Sequence, residues 1–494
     1  MLIGRKEELR EIREAYKSEY SQFVAVYGRR RVGKTFLIRE AFDYTFTFQH
    51  TGVAKLKMKG QLEAFRLSLI EQGHKACPIL NSWLEAFNEL KCIIKSSRRK
   101  KKVIFIDEIS WMDTPKSNFL QAFENFWNGW CSARKDVLLI ICASATSWII
   151  NKVLKDRGGL HNRVSVRIPL APFTLKECEE YLISRNFRIS RYQILMLYMV
   201  MGGPAYYWSL LNKSKSAAQN IDSLFFAENG KLKNEYNALY ESLFKHPELY
   251  IKIVSILGNK ATGLTRQELV DKYNLDASGT LTRCLEELEE CGFIRKYNAF
   301  GKESKGAVYQ LIDNYTLFYF KFIKEADGDV AFWTNSLNTS LQNTWCGYAF
   351  ERVCLQHIGQ IKQALGIGSV STKQCSWRAD VNLLQEDERG AQIDLLIDRK
   401  DDTINICEMK WASGPFVIKS DYDMELRNKV TAFVRETQTR KAVHTTMITT
   451  YGVKKNMYVD DYQSEVMLDD LFRYIYNSRK VLFFGPFREL CINR

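Results

Sequence analysis

The sequence predicts a multidomain α/β protein that opens with a mainly parallel sheet covered by helices on both faces. At 494 residues the chain is too long for one core, and its 46% hydrophobic and 26% charged residues are typical of globular proteins. Short apolar runs at residues 23–27, 103–106 and 137–142 are separated by helical stretches. This alternation indicates parallel strands joined by helices.

A glycine-rich loop follows the first apolar run, and residues 28–35 read Gly-Arg-Arg-Arg-Val-Gly-Lys-Thr. Its two glycines let the loop turn so that backbone N–H groups point at phosphate oxygens, while the lysine adds charge and the threonine a hydroxyl for Mg²⁺. The helix that follows presents unpaired N–H groups to the same anion. The loop predicts a nucleoside-triphosphate site formed by Gly28, Arg29, Arg30, Arg31, Val32, Gly33, Lys34 and Thr35.

The second apolar run ends in Asp107 and Glu108. A carboxylate at Asp107 can hold Mg²⁺ through water opposite Thr35, and Glu108 is placed to polarise an attacking water. An Asp-Glu pair is common at strand ends, so the interpretation depends on the loop that precedes it. Because no Asn-Lys-x-Asp guanine-reading motif is present, ATP is favoured over GTP.

The rest of the chain divides by pattern into helical and mixed segments. From Thr174 the pattern is helical, and residues 249–311 have the element order of a winged helix, with wing strands at 293–297 and 308–311. An aromatic helix follows at 315–322, and mixed α/β structure returns from Trp345. The predicted domains are residues 1–170, 171–247, 248–312, 313–344 and 345–494.

The last segment contains a second candidate site. Asp394 lies near the start of one apolar strand, and the next ends in Glu408-Met409-Lys410. In a hairpin Asp394 and Glu408 could meet at one metal ion, and Lys410 lies on the same strand face as Glu408, where it could orient or activate water. Metal-dependent phosphodiester cleavage needs such carboxylates and an activated water. The spacing alone is common, but charges on apolar strands are costly unless they bind something.

Two neighbouring groups extend this second site. A helix around Trp345 offers a third carboxylate, Glu351, and Gln392 adds a polar side chain beside Asp394. All of these groups are chemically suited to a metal-dependent nuclease. A structural or binding remnant is the alternative.

Charge points to an acidic partner. The net charge is +14, of which +13 lies in residues 1–344 and +1 in residues 345–494. Nucleic acid is the expected partner of such a basic field, and a merely soluble basic surface is the alternative. The nearly neutral last segment suggests that the preceding part of the chain would bring the nucleic acid.

Cysteine spacing and hydropathy exclude other classes of protein. The twelve cysteines include no C-x-x-C pair and form no cluster with the six histidines, so the sequence signals neither a zinc site nor a disulfide framework. The longest apolar stretch, residues 137–150, is interrupted and too short to span a bilayer. With no charged-then-apolar leader, we expect a cytoplasmic protein without membrane contacts.

Together the motifs resemble the archaeal-type ATPase family, a prokaryotic branch near the STAND and AAA+ ATPases that is often joined to a winged helix and a nuclease-like tail. The resemblance is carried by Ile3-Gly4-Arg5, residues 27–35, residues 105–108, residues 143–148 and Gly202-Gly203-Pro204. It implies a P-loop parallel-sheet ATPase core with a helical lid, a winged helix and a C-terminal α/β restriction-endonuclease-like domain. The tail resembles the PD-(D/E)XK nuclease fold in its DUF234-type form.

The resemblance also implies roles in the ATPase core. Arg5 would lie near the nucleotide base, Ser144 would be the polar sensor after the third strand, and Gly203-Pro204 would lie in the lid. Arg163 matches a position suited to the γ-phosphate, within the subunit or from a neighbour, with a structural surface arginine as the alternative. Ala143 replaces the family's usual glycine before the sensor.

For the tail, the resemblance implies a metal and catalytic site. Glu351, Asp394 and Glu408 would bind Mg²⁺ or Mn²⁺, Lys410 would act with them, and Gln392 would lie at the edge. The ATPase site would use ATP and Mg²⁺.

The predicted recognition helix of the winged helix is acidic. It carries Glu286, Glu287, Glu289 and Glu290, which would repel phosphates in a major groove. Only residues 278–283 could read DNA, so a structural or protein-docking role is favoured.

Two hypotheses follow. In the first, the protein is an ATP-dependent enzyme that forms a nucleotide-dependent homo-oligomer. Its ATPase part licenses cleavage of nucleic acid, with DNA favoured, by its tail. A defence or mobile-element role is suggested only by family analogy. In the second, a nucleotide-dependent switch or assembly protein uses the tail to bind DNA or a partner protein without cutting.

Overall fold

A computed structural model describes residues 2–155, 158–244, 246–302, 306–324, 328–379, 391–458 and 462–475. The chain divides into two compact units. The first contains the residues up to Phe173 together with Pro204–Ser209 and Asn237–Pro247. The second contains Thr174–Gly203, Leu210–Tyr236 and the described residues from Glu248 onward. The five predicted domain boundaries therefore stay predictions.

The first unit is built on a five-stranded parallel sheet in the order β2-β3-β4-β1-β5. Its strands are β1 (Gln22–Tyr27), β2 (Phe48–Thr51), β3 (Lys102–Asp107), β4 (Val137–Ala143) and β5 (Val166–Pro169). Its helices are α1 (Lys6–Lys17), α2 (Lys34–Ala41), α3 (Met58–Glu71), α4 (Trp83–Ser96), α5 (Phe119–Phe126), α6 (Thr146–Trp148), α9 (Ala205–Ser209) and most of α11 (Glu235–Leu243). Short 3₁₀ or π segments follow at Ile109–Trp111, Trp127–Cys131 and Ile149–Leu154.

Both faces of this sheet are buried, as the continuous apolar runs predict. Phe23 and Ala25 point to a core built with the aromatic side chains of α3, α4 and α5. Val24 and Val26 point to the opposite core, which α1 and α2 cover. The parallel sheet with helices on both faces is confirmed.

The second unit combines helices with one mixed sheet. Its helices are α7 (Leu175–Ser184), α8 (Arg191–Met201), α10 (Ala217–Ile221), α12 (Pro247–Gly258), α13 (Arg266–Tyr273), α14 (Gly279–Glu290), α15 (Asn314–Phe318), α16 (Phe332–Asn335), α17 (Ser340–Gln356), α18 (Ile358–Ala364), α19 (Ser420–Thr437) and α20 (Leu468–Leu471), with π segments at Asp222–Phe226 and Tyr319–Ile323. Its strands are β6 (Leu264–Thr265), β7 (Ile294–Ala299), β8 (Val308–Leu311), β9 (Thr372–Arg378), β10 (Gln392–Arg399), β11 (Thr403–Lys410), β12 (Ala442–Thr449) and β13 (Ser464–Met467).

These eight strands form a single sheet in the order β13-β12-β11-β10-β9-β7-β8-β6. The joining pair is parallel, with Asn298 opposite Cys375 and Ala299 opposite Ser376. The hairpin β7–β8, predicted as a wing, therefore continues into the sheet that carries the second candidate site. Nothing in the sequence pattern signals this pairing.

Within the described ranges, no helix has both the length and the apolar composition that a bilayer crossing requires.

A buried histidine links α17 to α7 inside the second unit. The Nδ1 atom of His357 donates a hydrogen bond to the Val353 carbonyl at 2.8 Å, and the Leu175 N–H donates to Nε2 at 3.2 Å. These partners fix the neutral ring with its proton on Nδ1. Burial lowers the pKa of His357 to about 4.

We expect the stability of the second unit to fall as the pH is lowered from about 6.5 to 4. His357 has a pKa near 6.5 in the unfolded chain and about 4 in the folded one. Lowering the pH through this range therefore reduces the free energy of unfolding by up to about 3 kcal/mol. Hydrogen exchange of α17 peptides measures this change. His357→Gln, which cannot titrate, should show a shallower fall, and identical pH profiles would contradict the assignment.

Candidate functional site

The phosphate loop connects β1 to α2, and its path requires glycine at two positions. Gly28 has φ +150°, and a Cβ there would lie 2.2 Å from the Leu170 carbonyl oxygen. Gly33 has φ +93°, in the region that side chains disfavour. The loop can therefore wrap closely around a bound group.

Lys34 lies at the centre of this loop. Its buried ammonium donates hydrogen bonds to the carbonyl oxygens of Gly28 at 2.8 Å and Arg29 at 2.9 Å. It also donates to the Ser144 hydroxyl at 3.1 Å. The positive charge of Lys34 is thus held inside the phosphate loop, where it would attract a bound phosphate.

Thr35 and Asp107 come together at the ends of α2 and β3. The Thr35 hydroxyl donates to Asp107 Oδ2 at 2.7 Å, and Asp107 Oδ1 accepts the Glu108 N–H at 3.0 Å. A hydroxyl and a carboxylate are the oxygen donors that Mg²⁺ prefers, so this pair fits the predicted ion.

Ser144 holds the carboxylate of Glu108 from the neighbouring strand end. The Ser144 N–H donates to Glu108 Oε2 at 3.0 Å, and its hydroxyl donates to Oε1 at 2.5 Å. Glu108 itself has φ +46°, an uncommon conformation for this residue type. The two bonds orient the acid that is predicted to polarise water.

Arg5 is buried beside the phosphate loop. Its Nη2 donates to the Ala171 carbonyl at 2.7 Å and to that of Val32 at 3.4 Å, and the guanidinium lies 4.9 Å from the Phe173 ring centroid. These contacts tie the N-terminal segment to the loop. A contact with the nucleotide base stays a prediction.

The loop arginines contact later parts of the first unit. The Arg30 guanidinium donates to the Ala238 carbonyl at 3.2 Å, and the Arg31 guanidinium lies 4.2 Å from the Tyr206 ring centroid. The Arg31 carbonyl also accepts the Tyr206 N–H at 3.0 Å. Two of the three arginines therefore hold α9 and α11 against the loop, which sequence spacing did not reveal.

Arg163 is exposed in a turn closed by its N–H and the Leu160 carbonyl at 3.0 Å. Its side chain is open to solvent, where a second subunit could meet it. Its contact with a γ-phosphate, within the subunit or from a neighbour, stays a prediction.

In the second unit, antiparallel pairing of β10 with β11 places two candidate ligands on neighbouring strands. The ladder ends with Leu395 opposite Cys407, and Asp394 and Glu408 follow directly, where the pairing of β10 with β9 is irregular. Gln392 donates from Nε2 to Asp394 Oδ1 at 2.6 Å. The predicted hairpin is thus present, with Gln392 holding Asp394.

Glu351 on α17 belongs electrostatically to this group. Burial, and after it the negative charge of Asp394, raise the pKa of Glu351 to about 7, with a smaller contribution from Glu408. The three predicted carboxylates therefore repel one another in a partly buried place. Such repulsion favours a bound cation or a shared proton.

Glu408 already has protein partners. Lys429 donates to its Oε1 at 2.9 Å, Tyr422 donates to its Oε2 at 3.0 Å, and the Lys410 ammonium lies 3.7 Å from Oε2. Lys429 and Tyr422 are seven residues apart and so share a face of α19. Sequence reasoning missed both residues, although this spacing beside an apolar strand could have found them.

The donor types fit Mg²⁺ or Mn²⁺, but the three carboxylates are not gathered into one ligand set. Within the described ranges, the oxygens of Glu351, Asp394 and Glu408 do not all lie within 4.8 Å of one another. A cation at Glu408 would also compete with the ammonium of Lys429.

Hydrogen bonds connect the β7–β8 hairpin to α17 beside this group. Arg295 Nε donates to Gln310 Oε1 at 2.6 Å, and the Ala261 carbonyl accepts both Gln310 Nε2 and Arg352 Nη2 at 2.5 Å. Arg352 is buried next to Glu351 in sequence, and its Nε has no hydrogen-bond partner among the described residues. Two guanidinium groups thus lie near the carboxylates.

Comparison with known proteins assigns the first unit. Residues 2–186 match the family described as an ATPase domain predominantly from Archaea. The uncharacterized protein MJECL04 of Methanocaldococcus jannaschii is 24% identical over 432 residues, which cover 83% of this chain and 88% of the relative. Residues 2–186 are therefore an ATPase domain of the archaeal type, in agreement with the resemblance carried by the motifs.

Solved structures with similar chains include two archaeal proteins. The Walker-type ATPase PABY2304 of Pyrococcus abyssi is 15% identical with a TM-score of 0.47, covering 65% of this chain and 96% of that one. The ORC2 protein of Aeropyrum pernix is 12% identical with a TM-score of 0.38, covering 68% and 96%.

We expect Ser144→Ala to slow ATP hydrolysis while leaving ATP binding intact. The change removes the hydroxyl that orients Glu108, and a positioned general base contributes on the order of 10²-fold or more to the rate. Phosphate release and binding of a fluorescent ATP analogue measure the two effects. Ser132→Ala, at an exposed serine of the same unit, is the matched control. Unchanged turnover in Ser144→Ala would refute the role.

We expect Mn²⁺ binding at the second site to strengthen as the pH rises from 6 to 8. Glu351 keeps its proton below a pKa of about 7, and a metal ligand must be deprotonated. Calorimetry without ATP measures this change. Glu351→Gln should remove the pH dependence, and Asp421→Asn, at an exposed acid of the same unit, should retain it. A pH-independent affinity in the wild type would contradict the prediction.

Proposed function

We propose that this protein uses ATP binding and hydrolysis in its first unit to control metal-dependent cleavage of nucleic acid, with DNA favoured, by its second unit. The observation that carries the proposal is the position of Asp394 and Glu408 on neighbouring paired strands, close enough to Glu351 to raise its pKa, in a chain with an ATPase domain. Carboxylates that repel one another in a partly buried place are stabilised by a bound cation.

In the first unit, the proposed ATP site uses the contacts around Lys34. Thr35 and Asp107 would hold Mg²⁺, which neutralises phosphate charge when bound. Glu108, oriented by Ser144, would position the attacking water. Arg5 would lie near the base, and the Arg163 side chain could stabilise transferred charge.

In the second unit, Glu351, Asp394 and Glu408 would hold Mg²⁺ or Mn²⁺. When bound, the ion polarises the phosphate and lowers the pKa of water. Lys410 shares a strand face with Glu408 and would orient or activate the water. Gln392 positions Asp394, while Tyr422 and Lys429 position Glu408.

The proposed partner is nucleic acid, since nearly all of the net positive charge lies in residues 1–344. The acidic helix α14 is not the proposed contact surface. Its Glu287 accepts a hydrogen bond from Tyr250, and burial raises the pKa of Glu289. These acids serve packing, which supports a structural or docking role for the predicted winged helix. A nucleotide-dependent homo-oligomer, with a defence or mobile-element role, belongs to the same proposal.

The experiment is cleavage of a mixed DNA and RNA panel with Mg²⁺ or Mn²⁺, with and without ATP, alongside mass measurement in each nucleotide state. Wild-type protein should cut, and Lys410→Ala should abolish cutting while leaving ATP turnover. Lys34→Ala should remove the effect of ATP. Lys400→Ala, at an exposed lysine of the same unit, is the matched control. A wild-type protein that binds ATP but never nicks any substrate would refute the proposal.

A second candidate function is a nucleotide-dependent switch or assembly protein whose second unit binds DNA or a partner protein without cutting. It is favoured by the engagement of Glu408 with Lys429 and by the spread of the three carboxylates. Calorimetry separates the two functions. No binding of Mg²⁺ or Mn²⁺ to the wild type would support the switch, and binding that is lost in Asp394→Ala would count against it.

A further inference from the structure

We propose a transition-metal site of the Zn²⁺ class in the first unit, formed by His74, Glu89 and Cys92. The imidazole nitrogen, the carboxylate oxygen and the thiol sulfur all lie within 4.8 Å of one another. His74 Nε2 lies 2.5 Å from Glu89 Oε2. The site is independent of both candidate sites described above.

Local structure explains why these three groups converge. Glu89 and Cys92 are three residues apart on α4 and so share a helix face. His74 lies just after α3, where its N–H donates to the Leu69 carbonyl at 2.9 Å. The next turn is closed by the Cys77 N–H and the His74 carbonyl at 3.0 Å. The histidine is thus held on a short, fixed segment facing α4.

The donor set selects the class of ion. One nitrogen, one oxygen and one sulfur donor suit Zn²⁺, which commonly takes three protein ligands and leaves one position open. Mg²⁺ and Ca²⁺ prefer oxygen donors only. A thiolate in the set therefore points to a softer cation.

Cys92 separates this site from an ordinary histidine–glutamate pair. Cysteine is usually buried, and among the eleven cysteines in the described ranges Cys92 is the exposed one. Its side chain contacts protein only weakly, with Sγ 3.7 Å from the Asn88 carbonyl oxygen. An exposed thiol beside an imidazole and a carboxylate is accessible to an ion from solvent.

Cys77 lies in the same turn as His74, since its N–H donates to the His74 carbonyl at 3.0 Å. The sequence thus contains His74-x-x-Cys77 and Glu89-x-x-Cys92, two pairs with the spacing of zinc ligands. Because each of these pairs contains only one cysteine, neither forms a C-x-x-C motif. A bound ion would cross-link the turn after α3 to α4.

The test is metal analysis of the full chain and a Zn²⁺ titration against a chromophoric chelator, without nucleotide. Wild-type protein should bind one Zn²⁺ per chain at this site. Cys92→Ser and His74→Gln should each weaken the affinity by at least about tenfold, because each removes a ligand. Cys92 is exposed, so its serine variant should fold normally. Zn²⁺ should raise the Tm of the wild type but not that of Cys92→Ser.

Two controls locate the ion. His246→Gln, at an exposed histidine, should bind Zn²⁺ like the wild type. Asp394→Ala should also bind Zn²⁺ like the wild type. Loss of Zn²⁺ binding in Asp394→Ala would assign the metal to the carboxylates of the second unit and overturn the proposal. Equal Zn²⁺ affinity in wild type and in the Cys92→Ser, His74→Gln double variant would overturn it as well.

Discussion

The hydroxyl of Ser144 is the contact on which the arrangement of the first unit depends. It accepts a hydrogen bond from Lys34 and donates one to Glu108, so three segments meet at one oxygen atom. The parallel order of the sheet makes this possible, because β1, β4 and β3 are neighbours and their carboxyl ends share one edge. A change in the phosphate loop would therefore reach the carboxylate of Glu108 through a single shared oxygen atom.

The sequence predicts the first unit well because its signals are local. The loop of residues 28–35 and the apolar run before Asp107 each contain the residues that determine their structure. The contacts of Arg30 and Arg31 could not be predicted in this way. Their partners, Ala238 and Tyr206, lie about two hundred residues away, and a carbonyl or an aromatic ring has no sequence signature for such a role.

The second unit was harder to predict because the contacts around its candidate site join elements that are distant in sequence. The pattern of apolar strands indicates the hairpin that carries Asp394 and Glu408 on neighbouring strands. It does not indicate which other elements surround the hairpin. Lys429 and Tyr422 contact Glu408 from α19, and these contacts depend on tertiary packing. The metal ligands of the second unit stay a prediction, and the contacts of Glu408 with Lys429 and Tyr422 are visible only in three dimensions.

The pairing of β7 with β9 has a mechanical consequence. Strands joined by hydrogen bonds bend and twist together, and two residue pairs join β7 to β9 within the eight-stranded sheet. A movement of the β7–β8 hairpin would reach the strand of Asp394 through β9, and it would reach α17 through the hydrogen bonds of Gln310 and Arg352 with the Ala261 carbonyl. The shared sheet therefore couples the position of this hairpin to the surroundings of the three carboxylates.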